Sequence, residues 1–289
     1  MQDIKLEKQF SAPIGEVWHA LTQPELMEKW YFKVHDFSLE KDAIFTFYGE
    51  EETKKYLHRC QVMTVTPLHI FEHTWEHPKE SKGTSVLRWE LNAIDENTTN
   101  LVLTHHGVQS FSDAGPEFSV ENYEFGWQGI VGISLRNFLH HIEQLTFRIE
   151  INLNPQALWD KLWSKEGYVT LVSPFMPGGY LEGNLVAGEE IRFLSPDGSG
   201  FASDVLFVRT YEQITFSHQA RIENFEEMEL TKEDEFWAGI LETYRLSSSG
   251  KNGTQLVVQL DCTPDNVPYM NEYFPKGLQA FKQFCEVKK

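Results

Sequence analysis

The segment HIFEHTWEH sets His69, His73 and His77 four residues apart. On a helix that spacing puts three imidazoles on one face, as a metal site requires. The intervening Ile70, Phe71 and Trp75 read instead as part of an antiparallel strand pattern. On a strand the three rings still share a face, but neighbours stand about 13 Å apart, four residues at about 3.3 Å each. That is too far for one ion, so no metal site is expected. His105 and His106 end another apolar run, and alternation sends them to opposite faces. His105 shares its face with Leu101 and Leu103 and points inward if they do. It then serves as a hydrogen-bonded core histidine or as a polar anchor in a ligand cavity. His140 and His141 fall near a helix end, where a cation is favoured, and read less well as a catalytic pair. Gly126, Gly129 and Gly132 lower helix propensity in one segment. Close backbone approach to a strand or a ligand would explain them, and packing is the commoner cause.

No nucleophile elbow, phosphate loop, zinc-protease helix or Cys-x-x-Cys is present. No catalytic residue, metal or other cofactor is assigned. The chain leans away from being an enzyme, because isolated His and Glu residues do not make general acid–base chemistry without geometry.

The elements that would position these residues come in two series. IKLEKQF alternates as a half-buried strand, and APIGEVWHALT follows as a helix with Val17, Trp18 and Leu21 on one face and Pro13 at its first position. Pro24 opens a short helix ending in Trp30-Tyr31-Phe32. Five strand-like runs follow: DAIFTFYGE, YLHRCQVMTV, LHIFEHTWE, TSVLRWELNAI and TNLVLTHHGV. A helix over residues 126–143 then presents Trp127, Val131, Leu135, Phe138 and Ile142, in steps of 4, 4, 3 and 4.

At Leu145 the series restarts. LTFRIEINL alternates, Asn154 and Pro155 open a helix bearing Leu158, Trp159 and Leu162, and six strand-like runs follow. PDGSG and KNG are turns between them. A last helix carries Met270, Phe274, Leu278, Phe281 and Cys285, again in steps of 4, 4, 3 and 4. The two series form an internal repeat. An amphipathic helix in each is the element available to cover the apolar face of a curved sheet. The predicted fold is α+β, two tandem domains over residues 1–144 and 145–289, each a curved sheet that grips its long C-terminal helix. The joint is too short for a flexible tether.

The formal net charge of −18 argues against nucleic acid and against an anionic membrane surface as partners. An acidic run over residues 223–235 is expected to be a solvated loop or helix face, with docking of a basic partner as the alternative. Three scattered cysteines, Cys60, Cys262 and Cys285, favour reduced thiols. With no apolar span and no leader-like start, a cytoplasmic protein without membrane insertion is expected.

FSAPIGEVWHALTQPELMEKWYF, LVLTHHGV and GWQGIVGISLRNFLHHIE resemble the START-like SRPBCC superfamily. Within it they are similar to the family named for the C-terminal domain of the activator of the ninety-kilodalton heat-shock-protein ATPase. The second half is similar more loosely, with Leu260-Asp261 where the histidine would stand and no Gly-Trp pair. The resemblance implies a helix-grip (birch-pollen-allergen-like) fold twice over and carries only His105 and Trp127 across. In such a fold the core and the cavity wall are one surface. Ligand-facing candidates are therefore Trp30, Phe47, Trp75, Trp89, His105 and Trp127 in the first half. Those of the second half are Phe175, Tyr180, Phe193, Phe216, Tyr244 and Phe274. The expected function is non-catalytic binding of a small hydrophobic molecule between sheet and helix. The alternatives are regulation of a chaperone ATPase through a chaperone partner, and an enzyme of the cyclase, aromatase or hydrolase kind. Oligomeric state and ligand identity are not legible.

Overall fold

A computed structural model describes residues 3–51, 54–231, 234, 237–250 and 253–287. Its contacts divide the chain into two compact units, Met1–His140 and His141–Lys289.

The first unit opens with β1 (Ile4–Phe10), α1 (Ile14–Thr22) and α2 (Pro24–Trp30). Pro13 stands one residue before the first helical position, as the cap of α1. Then come β2 (Ile44–Glu51), β3 (Lys54–Thr66), β4 (Ile70–Glu76), β5 (Thr84–Asp95) and β6 (Thr98–His106). The strands form one antiparallel sheet in the order β1-β6-β5-β4-β3-β2. Alternation builds its inner face: in β6 Leu101, Leu103 and His105 are all fully buried.

The helix covering that face differs from the expected segment 126–143. It starts earlier, as α3 (Val120–Gly129), with the Ser119 hydroxyl capping the Asn122 amide at 3.3 Å. A π-helical stretch (Ile130–Leu135) leads into α4 (Arg136–Leu139). The wider π turn shifts the register, so the buried row is Trp127, Val131, Leu135 and Leu139 rather than one passing through Phe138. The chain leaves the helix at His140, and His141 takes a left-handed φ of 54°. Ile142 therefore lies beyond the helix. Histidine is among the residues that tolerate this conformation, so His141 works here as a helix terminator.

In the second unit β7 (Glu143–Ile151) is followed by α5 (Pro155–Leu162) and α6 (Lys165–Val172). Asn154 caps α5 by accepting from the Ala157 amide at 2.9 Å. The strands are β8 (Tyr180–Gly183), β9 (Glu190–Leu194), β10 (Gly200–Arg209), β11 (Gln213–Glu223), the two-residue β12 (Glu226–Glu227), β13 (Ile240–Ser249) and β14 (Gly253–Cys262). Their order is β7-β14-β13-β11-β10-β9-β8, with β12 on β11. Without β8 and β12 this is the strand order of the first unit. α7 (Val267–Glu286) buries Phe274, Leu278, Phe281 and Cys285. The molecule is thus an α+β tandem of two helix-grip folds.

The acidic run is solvent-exposed over residues 223–231, as expected, but it is partly tied to the sheet. Within it Glu226 and Glu227 pair with β11, and Asp234 is buried, accepting from the Thr231 hydroxyl and the Trp237 indole. Parts of this run, and of the turn at residues 251–253, lie outside the described residues. Among the described residues no helix is long and apolar enough to cross a membrane.

Candidate functional site

The first unit carries an open cavity of about 280 Å³ between the β2–β4 end of the sheet and the start of the covering helix. Strand alternation places Tyr56 and His58 on the inner face of β3. β4 contributes Trp75, and His77 stands just past its end, where its carbonyl opens a turn. Phe118 closes one side, and Tyr123, Gly126 and Trp127 of α3 form the roof.

Gly49 makes room for the His58 ring. A Cβ at that position would stand 2.9 Å from His58 Cε1. The ring lies flat on Phe47, centroids 4.4 Å apart and planes 8° from parallel. His58 Nδ1 meets the Tyr56 carbonyl at 3.0 Å. A carbonyl only accepts, so Nδ1 carries the proton and Nε2 is bare. Beside it, 4.4 Å between centroids, His77 has the same tautomer. Its Nε2 faces the Trp75 indole N–H at 3.2 Å and the Tyr123 hydroxyl, both able to donate. Its proton then sits on Nδ1, which is buried without a partner. The Tyr56 hydroxyl is also buried and unpartnered. Leaving such a group unmatched costs on the order of 1–3 kcal/mol.

Burial holds both rings neutral. The His58 pKa is lowered to about 3 by desolvation, with the neighbouring His77 adding to it. The His77 pKa is lowered to about 4 by desolvation. Burial raises the Tyr123 pKa well above the ordinary tyrosine value. No lysine or arginine is among the described lining residues.

His105 lies behind this wall, fully buried. The Trp127 indole donates to its Nδ1 at 3.1 Å. Its Nε2 meets the Ser85 hydroxyl at 2.8 Å, and that hydroxyl reaches the Trp75 carbonyl at 3.3 Å. Every side-chain polar atom of this relay is matched, so His105 is a core histidine that orients Trp127 rather than a ligand contact.

Of the aromatic residues proposed from the sequence, Trp75 and Trp127 line the cavity. Trp30, Phe47 and Trp89 pack one layer back: Trp30 donates to the Ala20 carbonyl at 3.0 Å, and Trp89 meets Trp127 edge-on at 5.7 Å. His69, His73 and His77 do not converge, since His69 bonds the Leu91 carbonyl and His73 the Thr74 carbonyl, each at 2.8 Å. Sequence reasoning passed over Tyr56, His58 and Tyr123. The signal for the first two was their alternation with Cys60 and Val62, which are buried on β3.

In the second unit Phe193 packs edge to face on Phe216, and Phe216 and Tyr244 pack edge to face on each other and on Trp163. Phe175 stacks on Phe274, centroids 5.3 Å apart. Tyr180 packs apart from these, against the Leu194, Ala202 and Ile222 cluster. Helix α6 seats directly on α7 at Gly277, where a Cβ would stand 2.1 Å from the Leu171 carbonyl oxygen. A polar row the sequence did not announce crosses the sheet: Ser203 to His218 at 2.8 Å, and His218 to Glu242 at 3.1 Å. Ser203 is 1% exposed, so it is not presented to a substrate.

The fold is of the helix-grip class, with a cavity between sheet and helix in the first unit. Residues 11–139 match the family described as "Activator of Hsp90 ATPase homolog 1-like protein", the stretch that carried the sequence resemblance. No curated protein matches the chain. Among solved structures, similarity runs over the whole chain with two di-domain ARO/CYC proteins. With BexL of the BE-7585A biosynthetic pathway the identity is 10% and the TM-score 0.39, over all of both chains. With StfQ of the steffimycin pathway they are 10% and 0.40, over 98% of each. A Bacillus halodurans protein solved in solution is similar at 25% identity and a TM-score of 0.39, over 48% of this chain and 97% of that one.

Proposed function

We propose that the first unit binds a small, uncharged, largely apolar molecule that offers a hydrogen-bond acceptor, and that it does so without catalysis. The observation that carries this reading is the unpartnered, buried Nδ1 of His77 in an aromatic-walled cavity. Apolar walls supply the affinity, and the Nδ1–H and the Tyr56 hydroxyl supply orientation. The fold itself is one that holds hydrophobic ligands between sheet and helix. The depressed imidazoles and the raised Tyr123 speak against an enzyme of the cyclase or hydrolase kind. General acids and bases work best with pKa values near the operating pH, whereas burial lowers the two imidazoles to about 3 and about 4 and pushes the Tyr123 hydroxyl far up. The ligand-facing set of this proposal is Tyr56, His58, Trp75, His77, Tyr123 and Trp127.

The proposal also takes residues 1–144 and 145–289 as two domains of one soluble, cytoplasmic protein, the second packed rather than ligand-filled. Native mass spectrometry of protein purified from its source, followed by a screen of aromatic and lipid compounds, tests the binding reading. A bound apolar mass or a saturable hit supports it. Free protein and no hit in the screen overturn it.

The family match favours a second reading, regulation of a chaperone ATPase. An ATPase assay with the cognate chaperone decides it, and an unchanged rate removes it.

A further inference from the structure

Among the described residues, three polar groups of the cavity wall have no protein partner, and they differ in kind. His77 offers Nδ1–H, a donor, and Tyr56 offers a buried hydroxyl. His58 offers the lone pair of Nε2, an acceptor, because its proton goes from Nδ1 to the Tyr56 carbonyl. The three share one corner. The two imidazole centroids are 4.4 Å apart with planes at 65°, and in that edge-to-face meeting the donor of one makes no bond to the acceptor of the other. The Tyr56 and His77 rings both pack edge to face on Phe118, at 5.2 and 4.7 Å. Neither imidazole is free to turn toward a partner. His58 is stacked on Phe47 and tied at Nδ1, and His77 is tied at Nε2 by Trp75 and Tyr123. They are 7% and 2% exposed.

We infer that this corner selects a cyclic amide, a planar ring carrying N–H and C=O on adjacent atoms. The carbonyl oxygen has two lone pairs, for His77 Nδ1–H and the Tyr56 hydroxyl, and the adjacent N–H meets His58 Nε2. All three wall groups are then matched, with none left over on the ligand edge. The inference rests on the binding reading above and deepens it, because the ligand must donate as well as accept. A ketone or an ester serves the two donors and leaves the His58 nitrogen unmatched. A carboxylate is disfavoured, since Glu117, the charged side chain among the described lining residues, is itself an exposed anion. Trp75 and Trp127 give the ring faces an aromatic wall, and about 280 Å³ has room for two fused rings.

The test titrates 2-quinolone, coumarin and N-methyl-2-quinolone into the full chain by calorimetry. Coumarin keeps the shape of 2-quinolone and replaces its N–H by a ring oxygen, and the methyl group blocks the same position. The expected result is 2-quinolone binding at least about tenfold tighter than either analogue, because each leaves a buried acceptor without its donor. In His58→Phe, which keeps a flat ring on Phe47, that ratio falls to within about twofold of one. A readout that needs no variant is the nitrogen-15 resonance of His58 Nε2 in the wild-type protein, which moves upfield as 2-quinolone binds and not as coumarin does. Equal affinities for 2-quinolone and coumarin, a ratio kept in His58→Phe, or an Nε2 resonance indifferent to bound 2-quinolone overturns the cyclic-amide inference and leaves the cavity as a site for acceptors. Failure of 2-quinolone to bind also overturns it, and the mass spectrum of source-purified protein then decides the binding reading independently.

Discussion

The Trp127 indole nitrogen donates to His105 Nδ1 at 3.1 Å. An indole nitrogen can only donate, so this contact fixes His105 as the Nε2-protonated neutral tautomer. The proton on Nε2 goes to Ser85, and the Ser85 hydroxyl goes on to the Trp75 carbonyl. One buried relay thereby holds both tryptophans that line the cavity. His105→Leu keeps the volume but orphans the indole N–H and removes the donor to Ser85. We expect a loss of about 2–4 kcal/mol, from two buried groups at about 1–2 kcal/mol each. Denaturant unfolding followed by tryptophan fluorescence measures it, and a loss under 0.5 kcal/mol, by way of an order-of-magnitude bound, contradicts the role.

Stability of the first unit should fall steeply on acidification. His58 and His105 have pKa values lowered to about 3, and His73 and His77 to about 4, desolvation being the largest cause for each. In the unfolded chain each returns to about 6.5. Below that value the unfolded state binds more protons than the folded one. The stability these neutral rings retain above pH 6.5 is therefore lost progressively toward pH 4, at about 1.4 kcal/mol per pH unit for each histidine. The imidazole Cε1 protons of the four rings report it directly by NMR. They should show no titration between pH 8 and the onset of unfolding, whereas titration near 6.5 in the folded protein would refute their burial as neutral groups.

Gly126 separates folding from binding. Gly126→Leu places a side chain where the structure has open space at the roof of the cavity. Helix propensity improves by about 0.5–1 kcal/mol, so the melting temperature should not drop. Affinity for propiophenone should fall at least tenfold. A variant that melts higher and binds normally would show that the cavity is entered elsewhere.

Gly277 has the opposite character. Its missing Cβ is required for α6 to rest on α7, since the Leu171 carbonyl oxygen would lie 2.1 Å away. Gly277→Ala forces the two helices apart and costs about 1–3 kcal/mol or more, as overpacking does. Thermal unfolding with a probe in the second unit, such as fluorescence of Trp163 in an otherwise tryptophan-depleted chain, reads it. A neutral effect would mean that the two helices are loosely seated.

Much of the architecture was legible because strands and helices write different periods. The alternation of Leu101, Leu103 and His105 predicted their shared inner face, which the structure has. The end of the covering helix was not legible. A π turn at Ile130–Leu135 displaces the buried row, and the left-handed His141 stops the helix where the apolar spacing seemed to continue. Nor could alternation alone tell cavity wall from core. Trp75 and Trp89 both face inward, yet only the first lines the space, because the curve of the sheet and the angle of the helix decide which ring is left uncovered. The polar end of the cavity needs two neighbouring strands in register. Arg59 pairs with Glu76, which brings His58 beside His77, and that pairing is a property of the folded sheet.

The central claim is that His77 presents an N–H to a ligand in the first unit. Nitrogen-15 NMR of the His77 side chain during titration with propiophenone tests it most directly. The account predicts a δ-protonated neutral ring whose Nδ1–H resonance moves downfield and saturates as the ketone binds, with no such change in His77→Phe. An ε-protonated ring, or an Nδ1–H resonance indifferent to a ketone that demonstrably binds, would contradict it.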